Sequence, residues 1–253
     1  ETFLFRRTNM MNNREGQSVP QVTFKTRQNN DWIDVSSDDI FKDRIVVVFS
    51  LPGAFTPTCS SSHLPRYNEL AHVFKENGVD DIVCMSVNDA FVMNAWNTDQ
   101  ESENITLIPD GNGEFSAAMD MLVDKSQIGF GKRSWRYSML VKNGVIEKQF
   151  IEADVPGDPF EVSDADTMLS YINPKAEKPK DISIISKPGC PFCAKAKQML
   201  NDNNMSFDEI SIGTDAKMAS VKAISGFDSV PQVFIDGQRI GGSEELAEYL
   251  KEK

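Results

Sequence analysis

Two cysteines, Cys59 and Cys190, each follow a predicted strand and a Pro-Gly turn, at the position where a helix should begin. A helix start exposes unpaired N–H groups and about half a positive charge, so a thiol placed there ionises more readily. The thiolate, rather than the thiol, is the nucleophilic form of cysteine. The same local arrangement occurs in both halves of the chain and predicts two reactive sulfur atoms.

A C-x-x-C motif spans residues 190–193 and directly follows a predicted strand. Such a motif is typical of dithiol–disulfide exchange, with Cys190 as the nucleophile and Cys193, one helical turn later, as the second thiol. Lys187 adds a positive charge nearby. The alternative is half of a zinc site, which would need two further ligands, and both histidines of the chain lie in its other half. We therefore expect redox chemistry and no metal site.

Two weaker signals follow this motif. Val230-Pro231 precedes a predicted strand, where proline is tolerated only at an edge or at the first residue. A cis bond there would turn the backbone towards a peptide-like substrate, whereas a trans bond would be an ordinary strand start, and the sequence leaves both open. Gly241-Gly242-Ser243 lets backbone approach closely before a helix, which suits a carboxylate, although a Gly-Gly pair alone says little.

Thr56 and Cys59 form a T-x-x-C motif, which leaves one sulfur beside a hydroxyl that can donate and accept a hydrogen bond. This pair suits attack on a peroxide, in which the thiolate strikes one oxygen while donors stabilise charge on the other. The candidate cations are Arg133 and Arg136. Composition alone slightly favours another interpretation, in which Thr56 is a turn residue and Cys59 a buried apolar side chain.

Several further residues are expected to be structural. Cys84 lies in a continuous apolar run and is predicted to be an unreactive core residue. His63 is four residues after Cys59 on the same helix, so it could face the site or a partner subunit, and packing is favoured over base catalysis. His72 is predicted at the surface. The remaining candidates for a core or interface position are aromatic: Trp96, Phe130 and Trp135.

The first half of the chain is predicted to be an α/β domain with a mixed sheet, because strands alternate with helices and end in a hairpin. The predicted strands are Ile45–Ser50, Ile82–Val87, Ile105–Ile108, Tyr137–Val141 and Val145–Ile151, the last two joined at Asn143-Gly144. Helical periodicity appears after Cys59 and at Phe91–Trp96, Glu114–Met121 and Asp164–Tyr171.

The second half is predicted as a smaller β-α-β-α-β-β-α domain. Its predicted elements are Asp181–Ser186, Pro191–Asn201, Phe207–Ile212, Ala216–Ile224, Gln232–Ile235, Gln238–Ile240 and Ser243–Lys251. Asp236-Gly237 would turn the hairpin, and Ser243 would cap the last helix.

A segment rich in proline and charged residues divides the 253 residues into two predicted domains. Residues 173–180 hold two prolines and four charges and are predicted to be a linker between domains at 11–172 and 181–253. Residues 1–10 are expected to be a leader outside the fold. A net charge of −12 disfavours nucleic-acid binding, and no apolar run is long enough for a membrane span. The low cysteine content indicates a reducing compartment, by default the cytoplasm.

Residues 181–253 resemble glutaredoxins in the strings Cys-Pro-Phe-Cys, Ser-Val-Pro and Gly-Gly-Ser-Glu-Glu-Leu. The resemblance implies a thioredoxin-like fold and glutathione as the thiol partner. It also implies roles for Cys190 as nucleophile and Cys193 as second thiol. The positions at which the family holds glutathione correspond to Lys187, Phe192, Val230, Pro231, Gly242, Ser243 and Glu244.

Residues 16–172 resemble type V peroxiredoxins in the string Pro-Gly-Ala-Phe-Thr-Pro-Thr-Cys-Ser, in Ser86–Val92 and in Arg-Tyr-Ser-Met at 136–139. The resemblance implies a second thioredoxin-like domain. It also implies that Pro52 shields the site, Thr56 orients the peroxide, Cys59 is the peroxidatic thiol and Arg136 stabilises its thiolate.

Both domains in this order resemble bacterial hybrid peroxiredoxin–glutaredoxin proteins. The first domain has no evident resolving cysteine, so the Cys59 sulfenic acid would require an external thiol. We expect a glutathione-dependent peroxidase for hydrogen peroxide and alkyl hydroperoxides, without a bound cofactor. Its glutaredoxin domain would reduce the glutathionylated intermediate through Cys190. The family resemblance implies a dimer or tetramer, in which the two domain types would meet between subunits.

A second function remains open at this point. Glutaredoxins sometimes bridge iron–sulfur clusters with glutathione, so the chain could be a redox-sensing or cluster-binding module. A brown chromophore in anaerobically purified protein, together with negligible peroxide turnover, would favour that function.

Overall fold

The computed structural model describes residues 11–203 and 205–251, which form two compact units that divide between Glu177 and Lys178. The division lies inside the segment 173–180 predicted as a linker. The prediction that residues 1–10 form a leader falls outside the described residues. Within the described residues, no helix combines the length and the apolar character that a bilayer span requires.

The first unit contains strands and short helices in alternation. Its strands are β1 (Thr23–Gln28), β2 (Asp31–Ser36), β3 (Ile45–Leu51), β4 (Asp81–Ser86), β5 (Thr106–Pro109), β6 (Leu122–Asp124), β7 (Lys132–Ser134), β8 (Tyr137–Lys142) and β9 (Val145–Ile151). Its α-helices are α1 (Ser37–Phe41), α2 (Leu64–Glu69), α3 (Ala71–Glu76), α4 (Ala90–Asp99), α5 (Glu114–Ala118) and α6 (Ala165–Ile172). A π-helical turn covers Cys59–His63, and a 3-10 turn covers Ser126–Ile128.

A five-stranded mixed sheet forms the centre of this unit, in the order β5-β4-β3-β8-β9. The β3–β4 and β4–β5 pairs are parallel, and the β3–β8 and β8–β9 pairs are antiparallel. Strand β3 is buried on both faces because Val47 and Phe49 pack into one core and Val46 and Val48 into the other. The predicted α/β class and mixed sheet are confirmed.

Turn chemistry explains why one predicted hairpin is present and why one predicted helix ends earlier than expected. Asn143 and Gly144 both have positive φ, as a two-residue type I′ turn requires, and they join β8 to β9 as predicted. The helix predicted to reach Met121 instead stops at Ala118. Asp120 adopts the left-handed conformation, and the N–H of Met121 donates to the Ser116 carbonyl, which closes a Schellman motif.

Two hairpins were not predicted from the sequence. Strands β1 and β2 form an antiparallel pair, and β6 and β7 form another. The turn of the first hairpin is Asn29-Asn30, whose two residues have positive φ. This pair of asparagines was the available signal, because asparagine tolerates the left-handed region better than most residues.

The second unit has a four-stranded mixed sheet in the order β11-β10-β12-β13. Its elements are β10 (Ile182–Ser186), α7 (Pro191–Asp202), β11 (Asp208–Ser211), α8 (Met218–Ser225), β12 (Gln232–Ile235), β13 (Gln238–Gly241) and α9 (Ser243–Lys251). The pairing of β10 with β11 is parallel, whereas β12 runs antiparallel to both β10 and β13. The predicted order of strands and helices is confirmed.

The predicted capping role of Ser243 is wrong. Ser243 is the first residue of α9, so Gly242 is the residue that precedes the helix. The N–H of Gly242 donates to the carboxylate of Glu245 over 2.9 Å. A side chain from the first turn therefore reaches back to the helix start, which is half of a capping box.

Gly144→Ala should lower the free energy of unfolding by about 1–2 kcal/mol, because a Cβ is disfavoured in the left-handed region. Gly111→Ala is the matched control, since its backbone is outside that region and its Cβ would make only ordinary contacts. Urea unfolding measures both variants. Equal losses of stability in the two would contradict this account of the β8–β9 turn.

Candidate active sites

Cys59 lies near the start of the helical segment that follows β3. Residues 57 and 58 are already helical, so Pro57 stands at the first helical position, where its missing N–H has no partner to lose. The Ser60 N–H donates to the Thr56 carbonyl as the first helical bond. The Cys59 side chain is fully buried. The predicted helix is present, but it begins at Pro57, two residues before Cys59, so the cysteine lies in its first turn.

The loop before this helix is fixed by hydrogen bonds. Asn88 Oδ1 accepts from the Ala54 N–H at 3.0 Å and from the Ser86 hydroxyl at 2.7 Å. Thr56 Oγ1 donates to the Gly53 carbonyl at 2.9 Å, and Pro52 is buried. Asn88 therefore ties the end of β4 to the loop that carries the predicted Pro52 and Thr56.

Arg136 supplies the positive charge beside Cys59. Its guanidinium is 1% exposed, and Nη2 lies 3.5 Å from Cys59 Sγ. Tyr137 pairs with Ser50 in the sheet, so the preceding arginine comes level with the end of β3. The other candidate, Arg133, donates through Nη1 to the Val87 carbonyl at 2.7 Å and supports a loop. The register of β8 on β3 thus brings Arg136 to the sulfur.

The buried guanidinium has a counter-ion at the surface. The Asp158 carboxylate accepts from Nε and Nη2 of Arg136, with a closest contact of 2.6 Å. Burial would lower the pKa of Arg136, but the nearby Cys59 and Asp158 raise it. Arg136 therefore keeps its charge inside the core, where an unpaired charge would be costly.

His63 faces the site and bonds to Arg136. Its Nδ1 lies 2.9 Å from Arg136 Nη1, and its Nε2 lies 3.2 Å from the Ser163 carbonyl. A carbonyl only accepts and a guanidinium only donates, so the ring carries its proton on Nε2 and is neutral. Burial, and then the charge of Arg136, hold the pKa of His63 well below its usual range.

Cys84 is fully buried on β4, as predicted. Burial, and then the proximity of Cys59, raise its pKa well above the usual range, while Arg136 acts in the opposite direction. A thiol that does not ionise is a poor nucleophile. The core position predicted for Cys84 is confirmed, and its lack of reactivity stays a prediction.

Cys190 occupies the position immediately before α7, with extended backbone. The Cys193 N–H donates to its sulfur at 3.3 Å. Burial would raise the pKa of Cys190, but the Cys193 thiol, the N–H groups of Cys193 and Phe192, and the charge of Lys187 together lower it. Cys193 is buried, and burial together with its bond to Cys190 raises its pKa to about 11. The pKa values of the two thiols are thus shifted in opposite directions, down for Cys190 and up for Cys193.

The predicted glutathione-contacting residues lie on several elements. The Val230–Pro231 peptide is cis, and the Val230 carbonyl lies 3.9 Å from Cys190 Sγ. A Cβ added to Gly242 would lie 3.7 Å from the Pro231 carbonyl, so the strand start and the helix start are adjacent. Lys187 lines a cavity of about 500 Å³ together with Cys190 and Cys193. Phe192 is exposed, and its ring is available at the surface.

Comparisons with known proteins decide the family. The model of the Redoxin family matches residues 14–169, and that of the Glutaredoxin family matches residues 182–240. The hybrid peroxiredoxin hyPrx5 of Haemophilus influenzae is 65% identical over 240 residues, which cover 95% of this chain and 100% of the relative. The chain belongs to the hybrid peroxiredoxin–glutaredoxin proteins. This membership supports a peroxidase and redox function.

Two further relatives match the peroxiredoxin unit. A peroxiredoxin of Synechocystis is 55% identical over 169 residues, which cover 62% of this chain and 89% of the relative. The crystal structure of reduced Prx3 in complex with H2O2 from Vibrio vulnificus aligns with a TM-score of 0.59 at 40% identity. That alignment covers 62% of this chain and 98% of the Vibrio chain. The expected thioredoxin-like fold is confirmed by this peroxiredoxin neighbour and the glutaredoxin match.

Three residues at the peroxiredoxin site had weak or no signals in the sequence. Asn88 stood inside a string that carried the family resemblance, but nothing gave it a role. Asp158 had no signal, because it lies in an irregular segment far from Cys59 along the chain. The spacing of His63 from Cys59 was a signal, but spacing alone could not show that the ring contacts Arg136.

Cys193→Ala should slow alkylation of Cys190 at neutral pH several-fold, because it removes a thiol that lowers the pKa of Cys190. Iodoacetamide labelling from pH 5 to 10, read by mass spectrometry, gives the profile. In the unmodified chain, Cys190 should react at lower pH than Cys193. Cys84→Ala is the matched control and should leave the profile unchanged. A profile that does not move in Cys193→Ala would contradict this assignment.

His63→Gln should change how stability depends on pH. Below about pH 6.5 the unfolded chain protonates His63 while the folded chain does not, so the unfolded state binds more protons and stability falls. The stability advantage of the wild type over His63→Gln should shrink by up to about 1.4 kcal/mol per pH unit as the pH falls. His72→Gln, which removes an exposed histidine, is the control for urea unfolding. Parallel curves for wild type and His63→Gln would refute the buried, neutral state.

Proposed function

We propose that this chain is a glutathione-dependent thiol peroxidase that acts on hydrogen peroxide and alkyl hydroperoxides. The observation that carries the proposal is the 3.5 Å contact between Arg136 Nη2 and the buried Cys59 Sγ. A guanidinium at that distance stabilises a thiolate and has N–H groups for the peroxide oxygens. The Vibrio relative, whose structure is described as a complex with H2O2, supports this substrate class.

The first half-reaction occurs at Cys59. The thiolate attacks one oxygen of the peroxide, the O–O bond breaks, and the other oxygen leaves as water or an alcohol once it is protonated. Thr56 and Arg136 would orient the peroxide and stabilise the leaving oxygen, and Pro52 would exclude water. The product at Cys59 is a sulfenic acid.

Two thiol steps then restore the enzyme. Glutathione attacks the sulfenic sulfur, which releases water and leaves a mixed disulfide on Cys59. The Cys190 thiolate attacks the glutathione sulfur of that disulfide, frees Cys59 and becomes glutathionylated itself. A second glutathione attacks this disulfide and leaves as oxidised glutathione, with or without help from Cys193. Because Cys59 is fully buried, the helical turn around it must open before glutathione can reach the sulfur.

Glutathione would bind the second unit along the surface formed by the residues predicted to contact it. Lys187 would meet one of its carboxylates, and Val230 and Pro231 would pair with its peptide backbone. At the start of α9, the N–H groups of Ser243 and Glu244 would donate to the other carboxylate. The N–H of Gly242 would donate to it in place of its bond to the Glu245 carboxylate. The exposed ring of Phe192 would pack against the ligand.

Transfer between the two sulfur atoms is proposed to occur between subunits of a homo-oligomer. The eight residues of segment 173–180 span at most about 27 Å when fully extended. Part of that segment is held: Asn173 and Ala176 pack against the first unit, and Lys180 contacts Tyr249 of the second. The free linker is therefore shorter than its residue number implies.

Peroxide consumption with glutathione as the only reductant tests the proposed cycle. Cys59→Ser should abolish turnover, Cys190→Ser should reduce it strongly, and Cys193→Ser should retain part of it, because monothiol exchange with glutathione remains possible. Cys84→Ala is the matched control and should retain full turnover. Full glutathione-dependent turnover in Cys190→Ser would refute the role of the fused glutaredoxin.

Mixing subunits tests the route between the sulfurs. After subunit exchange, a mixture of Cys59→Ser and Cys190→Ser chains should regain glutathione-dependent activity, since each chain supplies the thiol that the other lacks. Recovery is measured against each variant alone at the same total concentration. No recovery after verified exchange would show that transfer occurs within one chain.

A further inference from the structure

A buried carboxylate in the peroxiredoxin unit has no role in the cycle above. Glu152 follows β9 directly and is 3% exposed. Its Oε1 accepts hydrogen bonds from the N–H groups of the consecutive residues 161–163 at 2.8–2.9 Å and from the Ser163 hydroxyl at 2.8 Å. Successive backbone N–H groups that converge in this way form a nest for an anion. The side chain of Glu152 therefore closes the loop that begins after it.

The backbone of Glu152 is fixed to the strand that carries Arg136. Its N–H donates to the Arg136 carbonyl at 3.2 Å, and its own carbonyl accepts from the Trp135 indole N–H at 2.9 Å. One residue thus ties the loop at 153–163 to the start of β8. The end of the loop is held at a fixed distance from the catalytic arginine.

Three residues of the closed loop contact the peroxidatic site or the side chains around it. The Ser163 carbonyl accepts from His63 Nε2 at 3.2 Å and from the Tyr67 hydroxyl at 3.1 Å. The Phe160 ring lies 4.8 Å from the His63 ring and 5.4 Å from Arg136 Cζ. Asp158 pairs with the guanidinium. All three residues belong to the segment whose end Glu152 holds.

The contact with the Ser163 carbonyl selects the tautomer of His63. A carbonyl oxygen at Nε2 requires the proton on that nitrogen, which leaves the lone pair of Nδ1 to accept from Arg136 Nη1. The other tautomer would place an N–H against the guanidinium N–H. The Ser163 carbonyl and the Arg136 guanidinium therefore favour the same tautomer. Without the carbonyl, Nε2 loses its acceptor and only Arg136 holds the ring, so the direction of Nη2 is less well fixed.

We propose that Glu152 is a positioning residue of the peroxidatic site, which holds Ser163, thereby fixes the His63 tautomer, and so directs Arg136 at Cys59. The inference rests on the proposed peroxidase function for its kinetic consequence. Its structural consequence, the state of His63, does not depend on turnover.

Glu152→Ala in the full chain tests the proposal. The chain has two histidines, so ¹⁵N NMR of labelled protein reports the ring of His63 directly. In wild type, His63 should show a protonated Nε2 and an unprotonated Nδ1; in Glu152→Ala this pattern should give way to mixed tautomers. The rate at which Cys59 gains an oxygen from peroxide, read by intact mass, should fall about tenfold or more. Glu147→Ala, on β9 and partly exposed, is the matched control and should change neither readout.

A conservative variant and a double-mutant cycle separate positioning from a general loss of stability. Glu152→Gln keeps an acceptor oxygen in the same place and should restore most of the rate and the wild-type ¹⁵N pattern, even where Glu152→Ala folds poorly. In an Arg136→Lys background, adding Glu152→Ala should change the rate of Cys59 oxidation less than in the wild-type background, because Glu152 acts through the arginine. Equal fold-changes in both backgrounds, or an unchanged His63 pattern in folded Glu152→Ala, would overturn the proposal.

Failure of this proposal and failure of the proposed function give different results. If Cys59 proves not to be the peroxidatic thiol, Cys59→Ser will retain peroxide turnover, whatever the ¹⁵N spectra show. If only the role of Glu152 is wrong, Cys59→Ser will be inactive and the His63 tautomer will be independent of residue 152.

Discussion

The buried positive charge of Arg136 is the constraint on which the peroxiredoxin unit depends. A guanidinium removed from water is costly unless its donors are satisfied, and here each set of N–H groups has a partner. His63, Asp158 and Cys59 are those partners. In this low-dielectric setting, the interactions of the guanidinium with these partners are stronger than they would be at the surface. The core buries this guanidinium, the register of β8 on β3 positions it, and the loop at 153–163 supplies its counter-ion.

The glutaredoxin unit favours a thiolate by different means. Cys190 is partly exposed and receives an N–H bond at the start of α7, with Lys187 close enough to act through its charge. Its partner thiol, Cys193, is buried and resists ionisation. One sulfur of the chain thus lies in a closed site suited to a small peroxide, and another lies in an open site suited to a bulky disulfide. The two sites thus differ in burial as well as in the groups that surround each sulfur.

In the proposed cycle, covalent fusion would add a kinetic advantage to these two sites. Glutathionylated Cys59 and the Cys190 thiolate would belong to one oligomer, so their encounter would depend on an effective concentration rather than on diffusion of a separate reductase. Each unit has hydrophobic clusters of its own around which its reactive sulfur is placed.

The sequence by itself determined both domains, their α/β class and the four residues Pro52, Thr56, Cys59 and Arg136 as candidates, as well as the C-x-x-C pair. These signals are local: alternating apolar runs, Pro-Gly turns and a cysteine at a helix start. The family resemblance already favoured Arg136 over Arg133, and the tertiary structure supplied the physical reason, because the register of β8 on β3 brings Arg136 to Cys59. The tertiary structure also decided the roles of His63, Asp158 and Glu152, which lie 73, 22 and 16 residues from Arg136 along the chain but converge on it or on its loop in space. Burial and convergence of this kind depend on how distant segments pack, and no spacing within one segment encodes them.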